Sequence, residues 1–153
     1  MGTHYKGSKK EINSLNVYIK LIRAVESLNS ILNASLSKEG LTESQFGVLE
    51  ALFHLGSMSQ KNLGSKLLKS GGNITMVIDN LEKRGLVLRR RGVVDRRYYN
   101  IQLTDKGKKL IEAVFPKQLK LITDEIGILN ENEQQELQRM CKLLGLKQQR
   151  EGI

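Results

Sequence analysis

The sequence predicts a mostly α-helical chain carrying one small β-hairpin. Three observations predict it. Apolar residues recur at steps of three and four through long stretches rich in Leu, Ile, Lys, Glu and Gln. Aromatic residues are few, tryptophan is absent, and there is one proline among 153 residues. One segment alternates instead, with Tyr99, Ile101 and Leu103 on one side and Tyr98, Asn100 and Gln102 on the other. That is the period of a half-buried strand. The length fits one domain with a core of its own, with or without an oligomerisation arm.

Residues 1–9 are polar and are expected to form a disordered tail. From about Lys10 to Leu36, Ile12, Leu15, Ile19, Ile22, Val25, Leu28, Ile31, Leu32 and Leu36 trace the apolar face of a long amphipathic helix. Thr42–Glu43–Ser44–Gln45 is a capping box, so a second helix is expected over Glu43–Leu55. It turns Phe46, Leu49, Leu52 and Phe53 inward and stops at Gly56. Ser59 is expected to cap a short helix through Leu63, Leu67 and Leu68. Ser70–Gly71–Gly72 reads as a turn, since adjacent glycines cost a helix interior backbone entropy. A helix from about Asn73 to Arg84 then packs Ile74, Val77, Ile78 and Leu81, and Gly85 closes it.

Val87–Leu88–Arg89 supplies the first strand of the hairpin and Gly92–Val93–Val94–Asp95 its turn. Thr104 caps a long helix over Asp105–Ile126, where Pro116 marks a kink or an interruption. Asn130 or Asn132 caps a last helix through Leu137, Met140, Leu143 and Leu144. Two short helices joined by a glycine turn and followed by a two-stranded hairpin make a winged helix-turn-helix, here spanning 41–104.

The charge is concentrated in that unit. Residues 59–107 hold 11 Lys/Arg against 4 Asp/Glu, net +7, whereas 1–58 and 108–153 are each net +1. Five arginines, Arg89, Arg90, Arg91, Arg96 and Arg97, fall within nine residues of the hairpin. A basic module between nearly neutral arms is the pattern of nucleic-acid binding. A generally basic soluble protein would spread its charge.

Four stretches resemble the MarR family of bacterial and archaeal transcriptional regulators: LTESQFGVLEAL (41–52), LGSMSQKNLGSKL (55–67), GGNITMVIDNLEKRGLVLR (71–89) and DRRYYNIQLTDKG (95–107). Asp95–Arg97, followed by Leu103–Thr104 and Gly107, is similar to the family's wing signature. The flanking helices match only in length and polarity. The resemblance implies an obligate homodimer that binds an operator in double-stranded DNA. The arms 10–36 and 105–153 would interlock, with Ile12, Leu15, Ile19, Leu119, Ile122, Leu137, Met140 and Leu144 at the interface.

It also implies roles for the lobe. The helix after Gly72 would present Asn73, Thr75, Met76, Asn80 and Lys83 to the major groove, with Gly72–Asn73 nearest the base edges. Asp79 would cap locally or pair with Lys83 or Arg84. Arg97 would enter the minor groove with Asp95 as its orienter, Arg96 would take that place or contact phosphate, and Arg91 is counted with the DNA-binding residues. Arg89 to Arg91 either touch phosphate or keep the wing's stem soluble. Ser59, Gln60 and Lys66 would position the module on the backbone. Phe46, Leu49, Glu50, Phe53 and His54 would line a pocket for a small phenolic or quinone-like effector.

Other chemistry is not evident. Two histidines and one cysteine do not build a usual zinc site, and no phosphate loop, HExxH or GxSxG occurs. No cofactor, metal or enzymatic activity is expected. Peroxide-sensing relatives carry a reactive cysteine in the first helix; the cysteine here is Cys141, in the last. No apolar run reaches bilayer-spanning length and no signal peptide is read. The expectation is therefore a cytoplasmic, nucleoid-associated repressor released from a palindromic operator by its effector. Two other readings stay open at this point: a non-specific or architectural DNA-binding protein, and a winged-helix protein-interaction module without DNA binding.

Overall fold

The computed structural model describes residues 2–67 and 71–146. Helix α1 (Lys9–Lys38) starts one residue earlier than expected, because Ser8 makes a reciprocal cap with Glu11. The Ser8 hydroxyl accepts from the Glu11 amide at 3.3 Å, and the Glu11 carboxylate accepts from the Ser8 amide at 2.8 Å. Residues 2–8 have no regular element, and the Thr3 amide donates to Asn16 Oδ1 at 2.8 Å. Helix α2 (Glu43–Leu55) follows the predicted Thr42 capping box, and strand β1 (Met58–Ser59) leads into α3 (Gln60–Lys66).

Helix α4 (Gly71–Lys83) takes in Gly71 and Gly72, so the expected turn there is corrected. The entropy cost that argued for a turn weighs on helix interiors, and these glycines sit at the open end. Leu67 ends α3 as its C-cap; Leu68 and Ser70 lie outside the described residues. Strands β2 (Val87–Arg91) and β3 (Tyr99–Leu103) form the hairpin, whose first strand is two residues longer than expected. The sheet order is β1-β3-β2, all antiparallel, with Met58 opposite Ile101 and Arg89 opposite Ile101 on the other side. The two-residue β1 is too short to leave an alternating pattern, and the sequence reading missed it.

Helix α5 (Asp105–Ile126) runs through Pro116 without interruption. Pro116 removes the bond to the Glu112 carbonyl, but both residues are exposed, so water can take up that acceptor. Helix α6 (Glu131–Leu146) is capped by Asn130 rather than Asn132. Asn130 Oδ1 accepts from the Glu133 amide at 3.0 Å and the Glu133 carboxylate accepts from the Asn130 amide at 2.8 Å.

One core joins α1 and α5 to α2, α3, α4 and the hairpin. Leu36 of α1, Val48, Leu49 and Leu52 of α2, Leu63 of α3, Ile74, Ile78 and Leu81 of α4, Val87, Ile101, and Ile111 and Val114 of α5 are buried together. Gln118, the buried polar residue of α5, donates to Ser35 Oγ of α1 at 2.8 Å, which removes the cost of an unpaired amide. The turn after α4 is a Schellman-type stop. Gly85 has φ +71°, and the Leu86 amide reaches the Leu81 carbonyl at 2.9 Å.

Candidate nucleic-acid interface

Helical periodicity aims the site. Because Ile74, Ile78 and Leu81 are buried, the same helix must turn Asn73, Thr75, Met76, Asn80 and Lys83 outward, and all five are exposed. Met76, at 71% exposure, is a large apolar side chain left in solvent. Gly72 lies in the first turn of α4. Asn80 Oδ1 accepts from Gln45 Nε2 at 2.8 Å, which fixes that side chain against the α2 cap. Thr42, Ser44, Gln45, Asn73, Met76, Val77 and Asn80 line an open groove of about 470 Å³ between α2 and α4.

Beyond β2, the tip of the hairpin turns at Gly92. Its amide donates to the Tyr98 carbonyl at 2.9 Å, and a Cβ there would stand 2.6 Å from the Asp95 carbonyl oxygen. Asp95 holds Arg97 at three points. Asp95 Oδ1 accepts from the Arg97 amide at 3.0 Å and from Nε at 3.1 Å, and Oδ2 accepts from Nη2 at 2.9 Å. Those bonds hold the Asp95 carboxyl below the usual aspartate range and raise the Arg97 guanidinium. The Arg97 side chain is still 84% exposed, and Arg96 is exposed beside it. Arg91 lies over the Tyr99 ring, 5.9 Å from its centroid.

Ser59 ends β1 and caps α3, and Gln60 and Lys66 are the first and last residues of α3. The Ser59 hydroxyl is engaged as N-cap, accepting from the Asn62 amide at 3.1 Å, and Lys66 is exposed at the end of α3. Gln60 is engaged as well, donating from Nε2 to Thr75 Oγ1 at 2.7 Å. Asp79 pairs with neither Lys83 nor Arg84. Its partner is Arg89, from β2. Nor is Arg89 a solubilising charge: its side chain is only 17% exposed and bonds within the lobe. The sequence reading missed this because the pair spans ten residues and two elements. Arg84 instead donates from Nη1 to the Gly40 carbonyl at 2.8 Å.

The residues expected to line an effector pocket lie near one another on α2 with different exposures. Leu49 is fully buried in the core and offers a ligand no surface in this conformation. Phe46 and Phe53 are half-buried. His54 is exposed at the end of α2, its ring 5.1 Å from Phe53 and 4.6 Å from Phe115 of α5. Glu50 lies one turn back, with 3.6 Å between its Oε1 and His54 Nδ1. The expected dimer residues are all at least partly accessible; Leu119, Ile122, Met140 and Leu144 are exposed. Cys141 is exposed as well. Among the described residues no helix is long and apolar enough to cross a membrane, and no cluster of three metal-ligating side chains occurs.

Comparison with known proteins decides the lineage of this arrangement. The MarR family model matches residues 41–99. The HTH-type transcriptional regulator MhqR of Bacillus subtilis (strain 168) is 38% identical over 133 residues, covering 87% of this chain and 92% of that protein. The chain belongs to the MarR family. It is thus a DNA-binding transcriptional regulator and not an enzyme. The MarR fold also recurs in AbsC of Streptomyces coelicolor, with a TM-score of 0.86 at 20% identity, covering 95% of this chain and 99% of that one. BpsR of Bordetella bronchiseptica, described for regulation of its DNA binding by 6-hydroxynicotinic acid, superimposes with a TM-score of 0.76 at 26% identity. That match covers 84% of this chain and 98% of BpsR.

Proposed function

We propose that this MarR-family protein is a homodimeric repressor that binds a roughly palindromic operator and leaves it when a phenolic or quinone-like effector binds. The observation that carries the reading is the pairing of an outward polar face on α4 with a wing whose Arg97 is pre-oriented by Asp95. Asn73, Thr75 and Met76 suit base edges and a thymine methyl, with Gly72 allowing close approach and Asn80 and Lys83 alongside. Arg97 suits a narrow minor groove. Ser59, Gln60, Lys66, Arg91 and Arg96 would contact the phosphate backbone, Gln60 in addition to its bond to Thr75.

Residues 10–36 and 105–153 act as dimerisation arms, and 41–104 as the DNA-binding lobe. The support is unburied apolar surface: Leu15, Val17, Tyr18, Ile22 and Val25 on α1, Leu119 and Ile122 on α5, and Leu137, Met140, Leu143 and Leu144 on α6. A soluble monomer rarely leaves so much apolar area uncovered. Two lobes would then enter successive major grooves about one helical turn apart. The effector would act where α2 meets α5, at Phe46, Glu50, Phe53 and His54, by favouring one lobe spacing over another. The regulation of BpsR by an aromatic hydroxy acid supports that ligand class. The protein would work in the cytoplasm, on the nucleoid.

Footprinting of the DNA upstream of the protein's own gene, at fixed salt, tests this. Protection of a palindrome that a hydroxybenzoate or a benzoquinone relieves is the expected result. Equal affinity for random duplex would favour an architectural role, and the absence of DNA affinity a protein-interaction module.

A further inference from the structure

We propose that Arg89 is a positioning residue that masks two carboxylates on the DNA-facing helix, an inference that rests on the DNA-binding reading above. From β2, its guanidinium gathers groups from two helices, α4 and α3. Nη1 pairs with the Asp79 carboxylate and lies 3.4 Å from Glu82 Oε1, and the Arg89 amide donates to Glu82 Oε2 at 3.1 Å. Nη2 donates to the Thr75 carbonyl at 3.4 Å and Nε to Gln60 Oε1 at 3.4 Å. Gln60 in turn donates to Thr75 Oγ1 at 2.7 Å. Strand β2, helix α4 and helix α3 are thereby fastened at one point. The groups line a groove of about 480 Å³ between α4 and the hairpin.

Asp79 and Glu82 need such a partner. They stand on α4, the helix that presents Asn73, Thr75, Met76, Asn80 and Lys83, and their side chains are 47% and 40% exposed. Two unpaired carboxylates there would repel the phosphates of an approaching duplex. The planar fork of arginine meets both acids and a carbonyl at once, which a lysine ammonium does less well. Arg89 is the inward member of the arginine cluster, and the exposed Arg97 an outward one.

Binding of a fluorescein-labelled random-sequence duplex, titrated at several salt concentrations, tests the masking, because that binding is dominated by counterion release. Arg89→Gln should lower affinity roughly tenfold with the salt slope unchanged, since two charges are uncovered and no phosphate contact is lost. The triple variant Arg89→Gln, Asp79→Asn, Glu82→Gln should return to within about threefold of wild type, again with its slope. The double variant Asp79→Asn, Glu82→Gln keeps Arg89 and frees it toward phosphate. It should bind more tightly, with a slope steeper by about one contact. That variant keeps the proposal falsifiable should Arg89→Gln fail to fold, which circular dichroism would reveal. A double variant no tighter than wild type overturns the proposal and leaves a merely structural arginine. A shallower slope in the triple variant overturns it in favour of a direct phosphate contact. A wild type that binds no duplex at all overturns the DNA-binding reading and this inference together.

Discussion

Replacing Gly107 with alanine should loosen the junction between the hairpin and α5. An added Cβ would stand 2.0 Å from the Leu86 carbonyl oxygen, 2.9 Å from its carbon and 3.3 Å from Leu103 Cδ2. The Leu86 carbonyl already accepts from the Thr104 amide at 3.1 Å, and the Thr104 hydroxyl donates to the Gly85 carbonyl at 2.6 Å. Relief therefore requires tilting α5 or moving the α4–β2 turn, and either movement strains both bonds. Overpacking costs about 1–3 kcal/mol and the two weakened hydrogen bonds about 1 kcal/mol each. Alanine's better helix propensity offsets about 1 kcal/mol, leaving a net loss of about 2–4 kcal/mol by these terms. For a chain of this size that is roughly a 10 °C fall in Tm. Gly145→Ala is the control: nothing lies within 4 Å of the Cβ it would add, and it should be neutral or stabilising by up to about 1 kcal/mol. Urea denaturation at one fixed protein concentration reads both, because dimerisation would make the midpoint concentration-dependent. Equal midpoints for Gly107→Ala and Gly145→Ala would refute the close-approach argument.

Other outcomes follow from the same geometry. Thr104→Ala removes the α5 cap, where the Gly107 amide reaches Oγ1 at 3.0 Å, and the bond to Gly85; a loss of about 1–2 kcal/mol is expected in the same assay. Leu119→Glu with Ile122→Glu should convert a dimer to a monomer in sedimentation velocity, and a wild type that sediments as a monomer would sink the arm assignment. The Asp95 carboxyl titrates below its ordinary range because Arg97 bonds its charged form. Its contribution to wing order is therefore present above about pH 3.9 and lost as pH falls through the depressed value. A carboxyl carbon-13 titration should place the Asp95 midpoint below 3.9 and show it rising in Arg97→Ala; identical midpoints would count against the pair.

Much of this architecture was legible because local rules and packing agree. The Thr42–Gln45 capping box, the Gly56 and Gly85 stops and the Thr104 cap mark helix ends by side-chain chemistry that needs no tertiary contact. Alternation in Tyr99–Leu103 marked β3 because Ile101 is buried while Asn100 beside it is exposed. What escaped reading depends on distance through space. β1 is defined only by its partner β3, and Gly71–Gly72 begin a helix where composition argued for a turn. Pro116 is accommodated by exposure, which sequence does not display. At the interface, the Asp95–Arg97 contact was legible through the resemblance of the wing signature, whose two residues then meet directly. The Arg89 cluster was not, since it joins β2 to residues 10, 14 and 29 positions away in sequence.

Operator affinity of Arg97→Ala beside wild type, at one salt concentration and on the footprinted upstream duplex, is the decisive measurement for DNA binding through α4 and the wing. The Arg97 side chain is 84% exposed, so its removal should leave the fold intact. Affinity should fall roughly tenfold or more, equivalent to about 1.4 kcal/mol, as expected for loss of a minor-groove arginine. Unchanged affinity in a folded variant would contradict the wing's assignment.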